Sequence, residues 1–163
     1  MNNNYSYEQI TATNQEEAFL IYWANADYFA LTKEIPTMEQ IRKDARSLPT
    51  GLDLSHKHFL LIRQNEIPVA VLDLLTDYPQ KQEAFLGLLL VKEKGRGHGR
   101  KIVSRLENQL MKQGYTKLIL AVLQNNQPGL IFWRKLGFQE SGKGTFPIDA
   151  TSYPVLKFEK ALN

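Results

Sequence analysis

An apolar run, a glycine-rich segment and an amphipathic stretch follow one another between residues 84 and 123, and they constrain the fold more than any other feature. Ala84–Val91 is apolar enough for a strand that is covered on both faces, and Lys117–Leu123 reads the same way. Between them, apolar residues recur at helical spacing: Ile102, Val103, Leu106, Leu110 and Met111. This order predicts a strand–helix–strand unit with two parallel strands and a right-handed crossover.

The flanking sequence predicts further strands around this unit. Alternation and turn signals favour strands at Tyr5–Thr11, His58–Arg63, Val69–Leu75, Phe138–Ser141 and Ser152–Phe158. The second and third of these are close enough to form a hairpin. We therefore expect a mixed, mostly antiparallel sheet with a central parallel unit, in a single domain that spans residues 1–163.

Helix signals complete the α/β pattern. Thr13–Glu16 and Thr37–Gln40 both have the spacing of a capping box, which starts a helix. The first of these helices has an apolar face that continues as far as Phe29. A further short helix is predicted over residues 128–136, and Gly114 and Gly137 are placed to end the last two helices. Helices are expected on both faces of the sheet.

Composition excludes several classes of protein. The 163 residues carry a formal net charge of +3, which is too mild to indicate nucleic-acid binding. No apolar run approaches the ~20 residues that a membrane helix needs. The absence of cysteine excludes disulfides and a cysteine nucleophile, and the N-terminus lacks the pattern of a signal peptide. We expect a cytoplasmic protein that binds neither membranes nor nucleic acid.

The segment between the first parallel strand and its helix has glycine at alternate positions, Gly95, Gly97 and Gly99. Glycine permits positive φ and close approach of a ligand, and the first amides of a helix have no internal partner. This arrangement is typical of phosphate-binding sites. Neither the P-loop pattern nor the dinucleotide-binding G-x-G-x-x-G pattern fits the spacing.

The sequence Lys94-Gly-Arg-Gly97-His-Gly99 resembles the phosphate loop of the GCN5-related N-acetyltransferase (GNAT) superfamily, although that pattern begins with arginine or glutamine. A second motif follows at the right distance. Asn126-Gln-Pro-Gly129-Leu-Ile-Phe132-Trp133 leads to Gly137-Phe138, as in the family. The resemblance spans Glu83–Phe138 and implies that acetyl-coenzyme A lies where the two parallel strands diverge.

By this resemblance, backbone groups of Leu89–Val91 bond the pantetheine arm, and the amide region of Val91 polarises the thioester carbonyl. Gly95–Arg100 hold the pyrophosphate, Asn126 bonds the pantetheine arm and Phe132 packs beside it. The full set of implied acetyl-coenzyme A contacts is Leu89, Leu90, Val91, Lys94, Gly95, Arg96, Gly97, His98, Gly99, Arg100, Asn126, Gly129, Phe132 and Trp133.

The catalytic groups are less well defined. The amine attacks directly in this family, so neither a covalent enzyme intermediate nor a metal is expected. Glu83 matches a position where many members carry a glutamate base, and Asp73 is a competing carboxylate inside an apolar run. Trp133 stands where the family usually has a tyrosine acid, and we expect it to pack in the core. For His98 we expect a role for the backbone amide alone, with the side chain in solvent.

The expected function is therefore transfer of an acetyl group to a primary amine, carried by a small molecule or a peptide. The alternative is a non-catalytic coenzyme A sensor on the same fold, which the tryptophan at position 133 motivates. A nucleic-acid-binding module built on the basic loop is a third interpretation, and the mild charge argues against it. Homodimers occur in the superfamily, and the sequence leaves the oligomeric state open.

Overall fold

Seven strands form one sheet in the computed structural model, which describes residues 4 to 163. They are β1 (Tyr5–Gln9), β2 (Lys57–Gln64), β3 (Ile67–Thr76), β4 (Glu83–Val91), β5 (Lys117–Leu123), β6 (Gln139–Ile148) and β7 (Thr151–Ala161). Their order in the sheet is β1-β2-β3-β4-β5-β7-β6. β4 and β5 are parallel and the other neighbours are antiparallel, which confirms the predicted sheet.

The helices are α1 (Gln15–Ala24), α2 (Ala26–Ala30), α3 (Met38–Arg46), α4 (His98–Lys112) and α5 (Gln127–Lys135). The single helix expected through Phe29 is interrupted at Asn25, which is buried. Its side-chain Nδ2 donates to the carbonyl of Ile21 at 2.8 Å and to that of Val91 at 3.0 Å. This side chain competes with the helical hydrogen bonds and ties the break to β4. None of the helices within residues 4 to 163 is long and apolar enough to span a membrane.

The two predicted capping boxes have different outcomes. The first is wrong, because Asn14 is the N-cap residue of α1, and Thr13 bonds the hydroxyl of Thr11 instead. Asn14 Oδ1 accepts from the amide of Thr11 at 2.8 Å, so this side chain stabilises the preceding turn. The cap at Thr37 is confirmed, since its hydroxyl accepts from the amide of Gln40 at 3.1 Å. Local turn chemistry therefore decides where each helix begins.

The sheet separates two apolar cores, and its strands β2, β3 and β4 contribute to both. α4 and α5 cover one face, where the buried residues include Leu72, Leu86, Ile102, Leu118 and Phe158. α1 and α3 cover the other face, over Tyr22, Ile41, Leu61, Val71 and Leu90. Each fully buried side chain of this size contributes roughly 1.5–3 kcal/mol of transfer free energy. The prediction of helices on both faces is confirmed.

The parallel strands β4 and β5 diverge halfway along. Their pairing extends only from Glu83 with Lys117 to Leu86 with Leu120, although both strands continue. A bulge marks the point of divergence, because Leu86 and Leu88 pair with consecutive residues of β3 and Gly87 is the extra residue. The bulge reverses the alternation of side chains, as Leu86 and Leu90 lie in opposite cores. β4 thus presents an unpaired backbone edge toward β5 beyond Gly87.

Candidate active site

The N-terminus of α4 begins at the carboxyl end of β4 and is built for an anion. Gly95 and Gly97 have φ of 82° and 78°, and Gly97 is the N-cap residue. The first backbone bond of the helix runs from the amide of Lys101 to the carbonyl of Gly97, at 3.2 Å. The amides of residues 98 to 100 therefore lack helical partners and lie at the positive end of the helix dipole. The loop has the properties of a phosphate site.

Gly99 brings the two sequence motifs together. A Cβ at this position would lie 3.0 Å from the ring of Phe132 and 3.7 Å from Val91 Cγ2. The first turn of α4 consequently packs directly against α5, at the end of β4. Phe132 packs against the α4-side core, so its ring forms one wall beside the diverging strands.

The basic side chains of the loop are exposed. Lys94 Nζ lies 3.4 Å from Asp27 Oδ2, and Arg96 Nε lies 2.5 Å from Glu93 Oε2. Arg100 is exposed as well. Surface pairs of this kind contribute at most about 1 kcal/mol to stability. These cations are therefore accessible to a phosphate, since the ion pairs that hold them are weak.

The structure corrects the expectation for the His98 side chain. It is not in open solvent, because its Nδ1 lies 2.7 Å from the hydroxyl of Tyr5, which is buried in β1. The two rings meet edge to face, with centroids 5.9 Å apart, and the guanidinium of Arg105 lies 5.0 Å from the centroid of the Tyr5 ring. Sequence reasoning missed Tyr5, since its contact with α4 joins residues 93 positions apart and exists only in the folded protein.

Asn126 and Gly129 fit together at the start of α5. Asn126 Oδ1 accepts from the amide of Gly129 at 3.1 Å and caps the helix, while its Nδ2 takes no part in that bond. A Cβ at Gly129 would lie 2.5 Å from this Nδ2, so a larger residue would displace the cap. The motif is therefore structural in part, because Asn126 caps α5 and the absence of a side chain at Gly129 leaves room for it.

Trp133 packs, as expected. Its ring centroid lies 4.8 Å from that of Phe132 and 5.2 Å from that of Phe138, both edge to face. The side chain is partly buried against the α4-side core. An indole is a hydrogen-bond donor and not a practical acid, so Trp133 does not supply the tyrosine acid that the resemblance implies at this position.

The end of β4 carries the backbone groups assigned to the pantetheine arm. The carbonyl of Val91 already accepts from Asn25 Nδ2 at 3.0 Å. The amide of the next residue, Lys92, donates to the carbonyl of Val69 at 2.8 Å. Leu89 packs toward the α4-side core, whereas Leu90 lies in the other core. Val91 is thus engaged with the end of α1 and lies next to the phosphate loop.

Glu83 lies at the paired end of β4, away from the opening. Its carboxylate is 3.7 Å from Lys117 Nζ, which also lies 3.4 Å from Glu159. Gly87 lies four positions further along the chain than Glu83, about 13 Å along a strand. The structure therefore places this candidate base inside a lysine-centred cluster where β4 and β5 are still hydrogen-bonded.

Asp73, the other candidate base, lies beside the bulge. A Cβ at Gly87 would be 3.5 Å from Asp73 Oδ2, and this oxygen accepts from Lys57 Nζ at 3.0 Å. Within residues 4 to 163, Oδ1 is buried without a hydrogen-bond partner. Burial raises the pKa of the Asp73 carboxyl, and the Lys57 ammonium opposes that effect.

A second carboxylate, that of the partly buried Asp44 on α3, acts electrostatically on Asp73. Asp44 accepts from the hydroxyl of Tyr22 at 2.6 Å and from Gln40 Nε2 at 2.7 Å. Burial raises its pKa, while these two hydrogen bonds lower it. Neither Asp44 nor Lys57 was singled out in the sequence, because both belong to segments that read as an ordinary helix end and strand start. A lysine beside a predicted strand was the only available signal.

The sheet face beside this cluster is open toward β5 and β7. Among the described residues, the core under α1 and α3 contains none from β5, β6 or β7. The chain after α2 spans one end of the gap, where Tyr153 donates to the carbonyl of Thr32 at 3.2 Å and Asn125 to that of Leu31 at 3.4 Å. The residues of α1 and α3 therefore leave this face uncovered where β4 and β5 are no longer paired. Among all the residues that the structure describes, no cluster of three or more His, Asp or Glu could hold a metal ion.

Comparison with known families identifies this arrangement. A family profile described as Acetyltransferase (GNAT) family matches residues 17–138, which is most of the chain. The chain belongs to this family. The match confirms the resemblance drawn from the two motifs and places the protein in a class of acyltransferase enzymes.

Individual relatives are distant. The uncharacterized N-acetyltransferase YycN of Bacillus subtilis (strain 168) is 29% identical over 99 residues, which are 58% of this chain and 63% of that protein. The match thus spans less than two thirds of that relative. An acetyltransferase from Thermus thermophilus superposes with a TM-score of 0.77 at 24% identity, covering 98% of this chain and 97% of the other.

A second structural neighbour has its cofactor bound. YncA from Salmonella typhimurium, a putative acetyltransferase with acetyl-CoA, superposes with a TM-score of 0.64 at 14% identity, over 99% of this chain and 95% of that one. At such identities these similarities establish the fold and leave the substrates open.

Proposed function

We propose that the protein transfers the acetyl group of acetyl-CoA to a primary amine that attacks the thioester directly. The observation that carries the proposal is the course of the opening between β4 and β5. It leads from the bulge at Gly87 directly to the unpartnered amides at the start of α4. A ligand with a phosphate at one end and an extended polar arm fits this path.

The residues fit acetyl-CoA along its length. The amides of residues 95 to 100 hold the pyrophosphate, and the exposed Lys94, Arg96 and Arg100 supply positive charge. The pantetheine arm pairs with the free edge of β4 at Leu89 and Leu90 and reaches the Nδ2 of Asn126. Its length separates the pyrophosphate from the thioester, so we place the thioester carbonyl nearer Gly87 than Val91. This revises the role first expected for Val91.

Asp73 is the better supported base. It lies beside the bulge, where β4 and β5 begin to diverge, whereas Glu83 is paired with Lys117 where the strands are still joined. A lysine-like amine has a pKa near ~10.4, so it must lose a proton before attack. A carboxylate that acts directly or through one water accelerates such a step by typically ~10²–10⁴.

The leaving group departs without a tyrosine acid, because Trp133 occupies that position and packs in the core. A thiolate with a pKa near ~8.5, as in cysteine, is an adequate leaving group at neutral pH. Pre-oriented backbone donors at the bulge then provide the main stabilisation of the transition state.

Calorimetry with acetyl-CoA tests the binding step. Gly97→Val forces a branched side chain to positive φ, and Gly99→Val collides with Phe132, so both variants should weaken binding at least tenfold. Gly142→Val is the matched control, since a Cβ there meets open space and its φ is ordinary. Equal affinity in all four proteins would refute the phosphate loop.

A screen of primary amines with thiol detection tests catalysis. The proposal requires release of coenzyme A that depends on an acceptor and that falls by at least tenfold in Asp73→Asn. Binding of acetyl-CoA without acceptor-dependent thiol release from any amine would instead establish the sensor alternative.

A further inference from the structure

Lys57 is an unusual residue at the start of β2, because it is charged and its side chain is only 4% exposed. A buried ammonium is costly unless it is paired and hydrogen-bonded. Its Nζ donates to Asp73 Oδ2 at 3.0 Å and to the carbonyl of Ser47 at 2.9 Å. The ring of Phe59 lies beneath it, 5.8 Å from Nζ to the centroid.

These contacts connect three elements around one carboxylate. Ser47 is the C-cap residue of α3, and carbonyls at a helix C-terminus carry partial negative charge. Lys57 therefore joins the end of α3 to β3 and holds one oxygen of Asp73. That oxygen, Oδ2, is also the one nearest Gly87, whereas Oδ1 is buried and has no hydrogen-bond partner within residues 4 to 163.

The groups that face Asp73 explain why a cation is needed there. Asp44 on α3 acts on Asp73 through its charge, and the Tyr22 hydroxyl from α1 is bonded to Asp44. On the β4 side stand Gly87 and Leu88, which do not titrate. Burial and the Asp44 charge both raise the pKa of Asp73, and Lys57 is the group that lowers it. Without the Lys57 ammonium, the Asp44 carboxylate would favour the protonated form of Asp73, which cannot accept a proton.

We propose that Lys57 is a positioning residue for acetyl transfer, which holds the Asp73 carboxylate ionised and oriented beside the bulge, where it takes the proton of the attacking amine. The inference rests on the proposed function. In the step that it supports, Asp73 accepts a proton from the amine nitrogen as the N–C bond forms. The C–S bond breaks with its electron pair on sulfur, and the products are an amide, coenzyme A thiolate and a protonated Asp73.

The protein contains its own control for this inference. Lys160 on β7 has the same set of contacts, with Nζ 3.0 Å from Glu107 Oε2 and 2.7 Å from the carbonyl of Leu136. Leu136 is the C-cap residue of α5, and Glu107 lies on α4. Lys160→Met therefore removes an equivalent structural link without affecting the charge of Asp73.

The test compares Lys57→Met, Lys57→Arg and Lys160→Met with the unmodified protein. The pKa of Asp73 is measured by ¹³C NMR of its labelled carboxyl group in the presence of acetyl-CoA. Thiol release is measured against pH, with butylamine as the acceptor. Lys57→Gln, which keeps a hydrogen-bond donor, replaces the Met variant if circular dichroism shows that the latter is unfolded.

In Lys57→Met we expect the Asp73 midpoint and the acidic limb of the rate profile to move together to higher pH. kcat should fall at least tenfold at pH 7, with acetyl-CoA affinity within twofold. Lys57→Arg should recover most of the rate, and Lys160→Met should leave both profiles in place. An unmoved Asp73 midpoint in Lys57→Met overturns this inference alone. Absence of thiol release from the unmodified protein with any amine overturns the proposed function.

Discussion

Asn126 and Gly129 show how closely single residues are matched at the candidate site. The side chain of Asn126 fills the space that a Cβ on Gly129 would need, and it caps α5 from there. Loss of an asparagine cap typically costs about 1 kcal/mol of stability. Glycine inside a helix is less favourable than alanine by a similar amount. Glycine is therefore the favourable residue at position 129 only while Asn126 caps the helix.

This pairing predicts that the effect of Gly129→Ala on stability changes sign when Asn126 is replaced by alanine. Gly129→Ala should destabilise the protein, because the new methyl group displaces the Asn126 cap at a distance of 2.5 Å. In an Asn126→Ala background the obstructing atoms are gone, and the same change should stabilise the helix by up to about 1 kcal/mol. Urea unfolding of the four proteins gives the double-mutant cycle. Simple additivity of the two changes would contradict the interpretation.

Among the elements, β1 and α1 are joined to β2 by one arginine. Arg63 makes a bidentate contact with Glu17 of α1, at 2.7 and 2.8 Å, and reaches Glu8 of β1 at 3.3 Å. Hydrogen bonds from Arg63 are the main reason that the pKa of each carboxyl lies below its usual 4.5. The unfolded chain thus binds more protons in acid than the folded one does. The free energy of unfolding therefore decreases as the pH is lowered through this range.

Arg63→Met should therefore lower stability most at neutral pH, where both carboxylates are fully charged in the folded and unfolded states. The difference from the unmodified protein should shrink as pH falls below about 4.5 and the carboxylates become protonated. Urea midpoints between pH 7 and pH 3 measure this. Arg42→Met, which removes only an exposed pair with Glu39 on α3, should give a small difference that does not vary with pH. A constant difference for Arg63→Met would contradict the prediction.

The elements that the sequence predicted well are those whose pattern is local. Lys117–Leu123 is a strand with the predicted limits, and Gly114 and Gly137 follow the ends of α4 and α5 with φ near 90°. The failures depend on distant contacts. Asn25 breaks the first helix by bonding to β4. β6 extends beyond its predicted end because it pairs with β7 as far as Ile148, and β7 extends because its last residues pair with β5.

The features of the candidate site also fall into local ones that the sequence predicts and ones that depend on distant contacts. The phosphate loop was predictable, since its glycines and its place between a strand and a helix are both visible in the sequence. The surroundings of Asp73 were not, because they depend on a one-residue bulge at Gly87 and on a lysine from another strand. His98 is a further example, as its partner Tyr5 is 93 residues away in the chain.

For the whole molecule, the sheet is shared by both cores. Consecutive residues of β2 and β3, such as Val71 and Leu72, point into opposite cores. Loss of packing in one core therefore disturbs strands on which the other core also packs. This arrangement supports the prediction that residues 1–163 form a single domain. A destabilising substitution in one core should therefore destabilise the other core as well.

The two tryptophans allow that prediction to be tested, because Trp23 lies on α1 and Trp133 on α5, on opposite sides of the sheet. Two single-tryptophan proteins, made with Trp23→Phe or Trp133→Phe, report each side separately in urea. Ile41→Ala truncates a side chain in the α1-side core that is 1% exposed, and should cost about 2–5 kcal/mol. In a single cooperative unit, the fluorescence transitions of Trp23 and Trp133 both move to lower urea by amounts that match circular dichroism. If Ile41→Ala moved the Trp23 transition and left that of Trp133 in place, the two sides would be separate folding units.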